Sequence, residues 1–328
     1  MWYVVAVCAC VAAAGAIGAQ PTKEQAKVIV TANNPDPRNL PTLGVWQEQG
    51  MTYVSATFPN APDFTCDSWC YESAVDFIGA RALEGGRIEL RHRVRDHPAV
   101  ILVTTVTPER GAVEFLARAE LENGAQGEVP SDLLAPNMCW QLKRARGFAS
   151  APDPYPEFVK RCFIFTKNGR AFLDHTTRKQ IPCRAADDAY NNPPWVQMYL
   201  PEGMPTPEVG PTSWADYSPD RYTVPIIGAV SRDGKWLAAL ASDSAKLMCQ
   251  AWHDCMHNSA EWAPAGGGGG SSSERHTRAR ARCAGAPPGL CHVWRLRVYV
   301  MANDAQALLK RAGGDFALKA ESGSTDAR

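Results

Sequence analysis

Histidine, indole, thiol and carboxylate crowd together at Gln250-Ala251-Trp252-His253-Asp254-Cys255-Met256-His257-Asn258, the densest chemistry in the sequence. His253 and His257 are spaced i, i+4, so on a helix over 247–257 they would share a face and could bind one divalent metal. A zinc peptidase would place Glu directly after the first His as base for the metal-bound water. Asp254 stands there, one methylene short, and the peptidase reading is rejected. Off a helix the same residues make a polar loop suited to a sugar: the Trp252 face stacks on a pyranose ring while His253, His257 and Asp254 bond hydroxyls. Either imidazole could then carry a proton in lyase- or epimerase-type acid/base chemistry, with no cofactor required. The structural alternative is that Trp252 packs in the core and both imidazoles bond backbone groups beside a disulfide between Cys249 and Cys255.

Three weaker sites accompany it. Asp187-Asp188-Ala189-Tyr190-Asn191-Asn192-Pro193-Pro194-Trp195 has the oxygen ligands for calcium, although Asp and Asn form Asx turns in most loops. Tyr190 and Trp195 are candidates for ligand stacking because loop-borne aromatic residues are often functional. His92 stands where an alternating strand wants an apolar residue, and imidazole is the side chain readiest for proton transfer near neutral pH. Asp174-His175 closes a hairpin, with Asn137, Trp140, Arg144 and Arg161 in the connection before it. The catalytic candidates are thus His253, His257, His92 and His175. The ligand-binding candidates are Trp252, Asp254, Trp195, Tyr190 and Trp140. A glycine-rich phosphate loop, a serine-nucleophile elbow and paired CxxC knuckles are absent from the sequence.

The elements that must position these residues are mostly strands. From Arg87 to Arg95, charged residues at odd positions alternate with Ile88, Leu90, His92 and Val94, the pattern of a half-buried strand. Residues 73–83 before it, 100–107 after it and 112–121 beyond the turn Pro108-Glu109-Arg110-Gly111 complete a four-stranded antiparallel meander. Lys167-Asn168-Gly169-Arg170 joins two strands as an Asn-Gly hairpin, and Arg232-Asp233-Gly234 joins 224–231 to 235–241. A strand at 292–301 carries Trp294, Leu296, Val298 and Val300 on one face and Arg295, Arg297 and Tyr299 on the other. Residues 201–225 are Pro-rich and read as an irregular connection. Asn303-Asp304-Ala305-Gln306 caps a short C-terminal helix stopped by Gly313-Gly314. The fold class is therefore all-β, a large antiparallel sandwich with one short C-terminal helix.

Composition bounds the rest. The chain has 328 residues and a formal net charge of zero, which argues against a nucleic-acid partner. Residues 1–19 carry no charge and end in small residues, as a signal peptide does, and the apolar run is too short to span a bilayer. The expectation is a secreted or periplasmic protein without a membrane span in its mature form. Residues 20–316 form one sandwich domain, with a flexible Gly/Ser/Arg insertion at 264–282 and a disordered tail at 317–328. Of the 11 cysteines, Cys8 and Cys10 leave with the leader. The odd number that remains implies at least one free thiol or an intermolecular bond, and Cys162, in an apolar run, reads as a buried thiol.

The stretches Gly86-Arg87-Ile88-Glu89-Leu90-Arg91-His92-Arg93-Val94 and Thr105-Val106-Thr107-Pro108-Glu109-Arg110-Gly111-Ala112-Val113-Glu114-Phe115 resemble early strands of the sandwiches of galactose mutarotases and polysaccharide lyases. The resemblance implies a carbohydrate-facing cleft on one sheet and a carbohydrate ligand. It transfers no catalytic residue, because neither the acid/base pair of the mutarotases nor the lyase sites match a motif here. Two function classes follow: an exported carbohydrate-active or carbohydrate-binding sandwich, or a non-catalytic secreted adhesion or envelope module whose Trp and His are structural.

Overall fold

The strands run in chain order as β1 (Lys27–Thr31), β2 (Thr42–Glu48), β3 (Met51–Thr57), β4 (Thr65–Cys70), β5 (Val75–Ala82), β6 (Ile88–Val94), β7 (Val100–Glu109) and β8 (Ala112–Leu121). The chain continues through β9 (Asn137–Gln141), helix α1 (Pro154–Val159), β10 (Cys162–Thr166), β11 (Gly169–Phe172), β12 (Gln197–Pro201), β13 (Asp216–Tyr222), β14 (Val224–Val230) and β15 (Trp236–Ser242). It ends with β16 (Ala245–Gln250), β17 (Cys255–Ala260), the short β18 (Ala263–Pro264), β19 (His292–Ala302) and helix α2 (Ala305–Phe316). This computed structural model describes residues 27–48, 51–61, 65–70, 75–122, 129–130, 133, 137–142, 145, 147–148, 154–187, 197–213, 215–243, 245–250, 255–260, 263–264, 292–316 and 318.

Two sheets form. One has nine strands in the order β1-β2-β3-β4-β9-β17-β16-β12-β13; the other has ten, β11-β10-β14-β15-β19-β8-β7-β6-β5, with β18 pairing β19 off that path. The expected all-β, antiparallel sandwich is what the chain builds. One described pair departs from it: β12 and β13 run parallel. The 201–225 segment therefore contains a strand, β13, rather than being irregular throughout.

The meander follows the alternation of its residues. In β6, Ile88, Leu90, His92 and Val94 are buried while Arg91 is exposed and Glu89 and Arg93 are half-buried. Leu90 and Val94 join Leu102, Val113, Phe115 and Ala117 in the main core, which Trp140, Met256 and Tyr199 enter from the nine-stranded sheet. Burying such rows between two sheets removes apolar surface from water on both inner faces, at about 25 cal/mol per Å². The turn after β7 is shorter than the sequence implies. Pro108 and Glu109 remain in register with Val113 and Ala112, which leaves Arg110 and Gly111 (φ +65°) to reverse the chain. The β10–β11 hairpin is likewise tighter: Thr166 pairs with Gly169, so Lys167-Asn168 is the loop and Gly169, at φ +91°, already belongs to the next strand.

Strands β14, β15 and β19 are buried on both faces because α2 covers their outer side. Leu308, Ala312 and Phe316 pack on Ala112, Phe163, Ile226, Leu237 and Tyr299. Asp304 caps the helix, its Oδ1 accepting from the amides of Gln306 and Ala307 at 2.9 Å each. The expected stop at Gly313-Gly314 does not occur. The helix runs through both glycines to Phe316, whose burial under the sheet outweighs the poor helix propensity of glycine. Under α2, Arg297 is held by Glu114, Glu109 and Asp315.

Candidate functional site

The chemistry that gathers lies on the outer face of the nine-stranded sheet. Residues 245–250 and 255–260 are strands, where the His253/His257 spacing suggested a helix or loop over 247–257: β16 and β17 pair antiparallel, with Cys249 opposite His257 and Gln250 opposite Met256. On the other side β17 pairs β9, placing His257 opposite Cys139 and Cys255 opposite Gln141. A strand's period of two then sorts the residues. Met138, Trp140, Met248 and Met256 face the main core, and Cys139 and Cys255 form a separate buried cluster on the other side of the sheet.

That second face holds two thiols, an imidazole and an amide. Cys139, Cys255 and His257 are all buried, and their ligating atoms lie within 4.8 Å of one another. Cys255 Sγ is 3.2 Å from His257 Nε2. Gln141 Nε2 donates to Cys139 Sγ at 3.8 Å, while Gln141 Oε1 is buried without a hydrogen-bond partner. Cys249 lies beside them but packs with Met198, Leu200, Tyr217 and Ile181. The disulfide between Cys249 and Cys255 that belonged to the structural alternative does not form. The reason is register, since Cys249 faces His257 across the ladder and Cys255 is offset from it by two residues. The arrangement can bind a soft cation, or hold a thiol and imidazole in one buried hydrogen bond.

The other sequence candidates are not brought to this place. His92 is inside the ten-stranded sheet, 4% exposed, its ring edge-on to Phe77 with centroids 5.5 Å apart. Burial pushes its imidazole down to about 4, so it stays neutral near pH 7. His175 sits in the single turn of 3-10 helix that follows β11, at an edge of the ten-stranded sheet. It is exposed, 3.7 Å from Asp174 Oδ2, with its ring edge-on to Phe172. Trp140, expected in a connection, is a central strand residue and fully buried in the main core. Tyr190, Trp195, Trp252, His253 and Asp254 lie outside the described residues.

Cys139 and Gln141 were not singled out from sequence. The signal that could have found them is the alternation Asn137-Met138-Cys139-Trp140-Gln141, which marks a strand with sulfur and amide on one face. Cys255 and His257 share the same i, i+2 relation. Among the described residues no helix is long and apolar enough to cross a membrane. The chain matches no protein-family model and no curated protein. What the structure defines is the class, a two-sheet β-sandwich protein with a buried thiol–imidazole cluster on one outer face.

Proposed function

We propose that the chain is an exported, non-catalytic β-sandwich module of the adhesion or envelope kind, rather than a sugar-processing enzyme. The observation that supports this reading is the separation of its described histidines. His257 is 2% exposed beside Cys255, His92 is 4% exposed within the other sheet, His97 is half-buried in the turn after β6, and His175 faces solvent at a sheet edge. Acid/base work on a sugar needs a proton carrier that meets the substrate within hydrogen-bond reach. An imidazole closed into a sheet face does not meet one. Export rests on the leader-like composition of residues 1–19.

The test uses the full chain and the His175→Ala/His257→Ala double variant. Each is probed on a glycan array with and without divalent metal, and assayed for mutarotation of aldoses and for eliminative cleavage of polysaccharides. The module reading expects no turnover from the wild type and the same glycan profile from both proteins. Turnover that disappears in the double variant, with its thermal transition retained, would establish the carbohydrate-active reading instead.

A further inference from the structure

Two thiols, an imidazole and an amide meet on one face of β9 and β17, and neither the core nor a surface role accounts for the combination. Buried Cys alone is ordinary, since a thiol packs as a small hydrophobe. An imidazole buried with two of them, its Nε2 3.2 Å from Cys255 Sγ, makes a donor set of two sulfurs and a ring nitrogen. We propose that Cys139, Cys255 and His257 bind a thiophilic d10 cation, zinc(II) or copper(I), in a structural site that joins β9 to β17.

The donor set fits that class of ion and few others. Thiolate and imidazole select zinc and cuprous copper, whereas calcium and magnesium take oxygen. The dimensions also fit. Bonds of about 2.3 Å to sulfur and 2.0–2.1 Å to nitrogen place the ligand atoms of a tetrahedral zinc about 3.5–3.8 Å apart. The three ligand atoms here lie within 4.8 Å of one another, and Cys255 Sγ is 3.2 Å from His257 Nε2. Contraction of the longest separation by about 1 Å brings the three atoms to the tetrahedral spacing. A disulfide is the competing use of two neighbouring cysteines, and the register disfavours it. Cys139 is opposite His257, not Cys255, so the two thiols are diagonal neighbours. Diagonal residues in an antiparallel pair stand about 7–8 Å apart, beyond the usual Cα separation of a disulfide.

Gln141 supplies an independent observation. Its Nε2 hydrogen-bonds Cys139 Sγ, the contact that steadies a thiolate ligand. Its Oε1 is buried and unpartnered, an acceptor that a water held as a fourth ligand would satisfy. Both thiols give up their protons to solvent on binding, so affinity rises with pH. Such a site suits a module and an enzyme equally, and its failure would leave the reading of the histidines untouched.

Full-length protein, reduced and stripped of metal, is titrated with zinc(II), with copper(I) in an anaerobic arm, and with cobalt(II) as a spectroscopic reporter. One equivalent of zinc or copper is expected, and cobalt should give the strong visible absorption of a tetrahedral thiolate site. Cys139→Ser and Cys255→Ser should each weaken binding more than about 100-fold, and Gln141→Leu about 10-fold. Cys183→Ser, at an exposed thiol, should bind as the wild type does. Where a variant does not fold, X-ray absorption on the loaded wild type counts the ligands, with two sulfurs and at least one nitrogen expected. Uptake of neither cation, binding unchanged in both serine variants, or a ligand shell without sulfur overturns the proposal. The relative affinity in the two arms decides between zinc and copper.

Discussion

Arg297 Nε donates to Glu114 Oε2 at 2.9 Å across 183 residues of sequence, on the face of the ten-stranded sheet that α2 covers. Arg295 Nε bonds the same oxygen, and Asp315 in α2 takes Arg297 Nη1 at 2.7 Å and the Tyr299 hydroxyl at 2.8 Å. One carboxylate therefore holds two guanidiniums whose side chains are 9% and 10% exposed. Removing that partner leaves two buried cations short of charge. Glu114→Gln is expected to destabilise the protein by about 3 kcal/mol, read as a lowered denaturant midpoint at unchanged slope.

Gly228 lies opposite Phe163 in the β10–β14 ladder, and the ring occupies the space above it. A Cβ at Gly228 would meet Phe163 Cζ at 2.5 Å and the Ala238 carbonyl oxygen at 2.8 Å. The ring also packs against Phe165 and Phe172, which limits its retreat. Gly228→Ala should cost about 1–3 kcal/mol by overpacking, measured by thermal or chemical denaturation. A double variant with Phe163→Leu should recover part of that loss.

His92 makes stability depend on pH. Its imidazole has an ordinary value of 6.5 and is held at about 4 by burial, so the unfolded chain binds the proton more readily than the folded one. The contribution is fully present above pH 6.5 and is lost as pH falls toward 4. The loss at acid pH should reach about 3 kcal/mol. Denaturation midpoints collected from pH 7.5 to 4 should fall more steeply for the wild type than for His92→Leu.

Local pattern carried most of the fold and little of the site. The alternation in 87–95 and the two faces of 292–301 are legible because each residue's environment follows from its neighbours two positions away. The Asp304 cap is legible for the same reason. The end of α2 is not, since Phe316 is held by strands distant in sequence. The parallel β12–β13 pair is hidden because pairing across a crossover leaves no periodic trace. At 245–260 two periods competed. The i, i+4 spacing of His253 and His257 suits a helix, while Cys255 and His257 at i, i+2 suit a strand, and pairing with β9 on one side and β16 on the other decided for the strand. Cys139 joins the cluster only through that pairing, which no local window contains.

The central claim is that His92 and His257 are closed to solvent in separate sheets while His175 is open. Carbethoxylation of the folded, full-length protein by diethyl pyrocarbonate, followed by peptide mass spectrometry, measures this directly. His175 should be modified rapidly, and His92 and His257 at least about tenfold more slowly, gated by local opening of their sheets. Modification of His257 at the rate of His175, in protein that remains folded, would contradict the account.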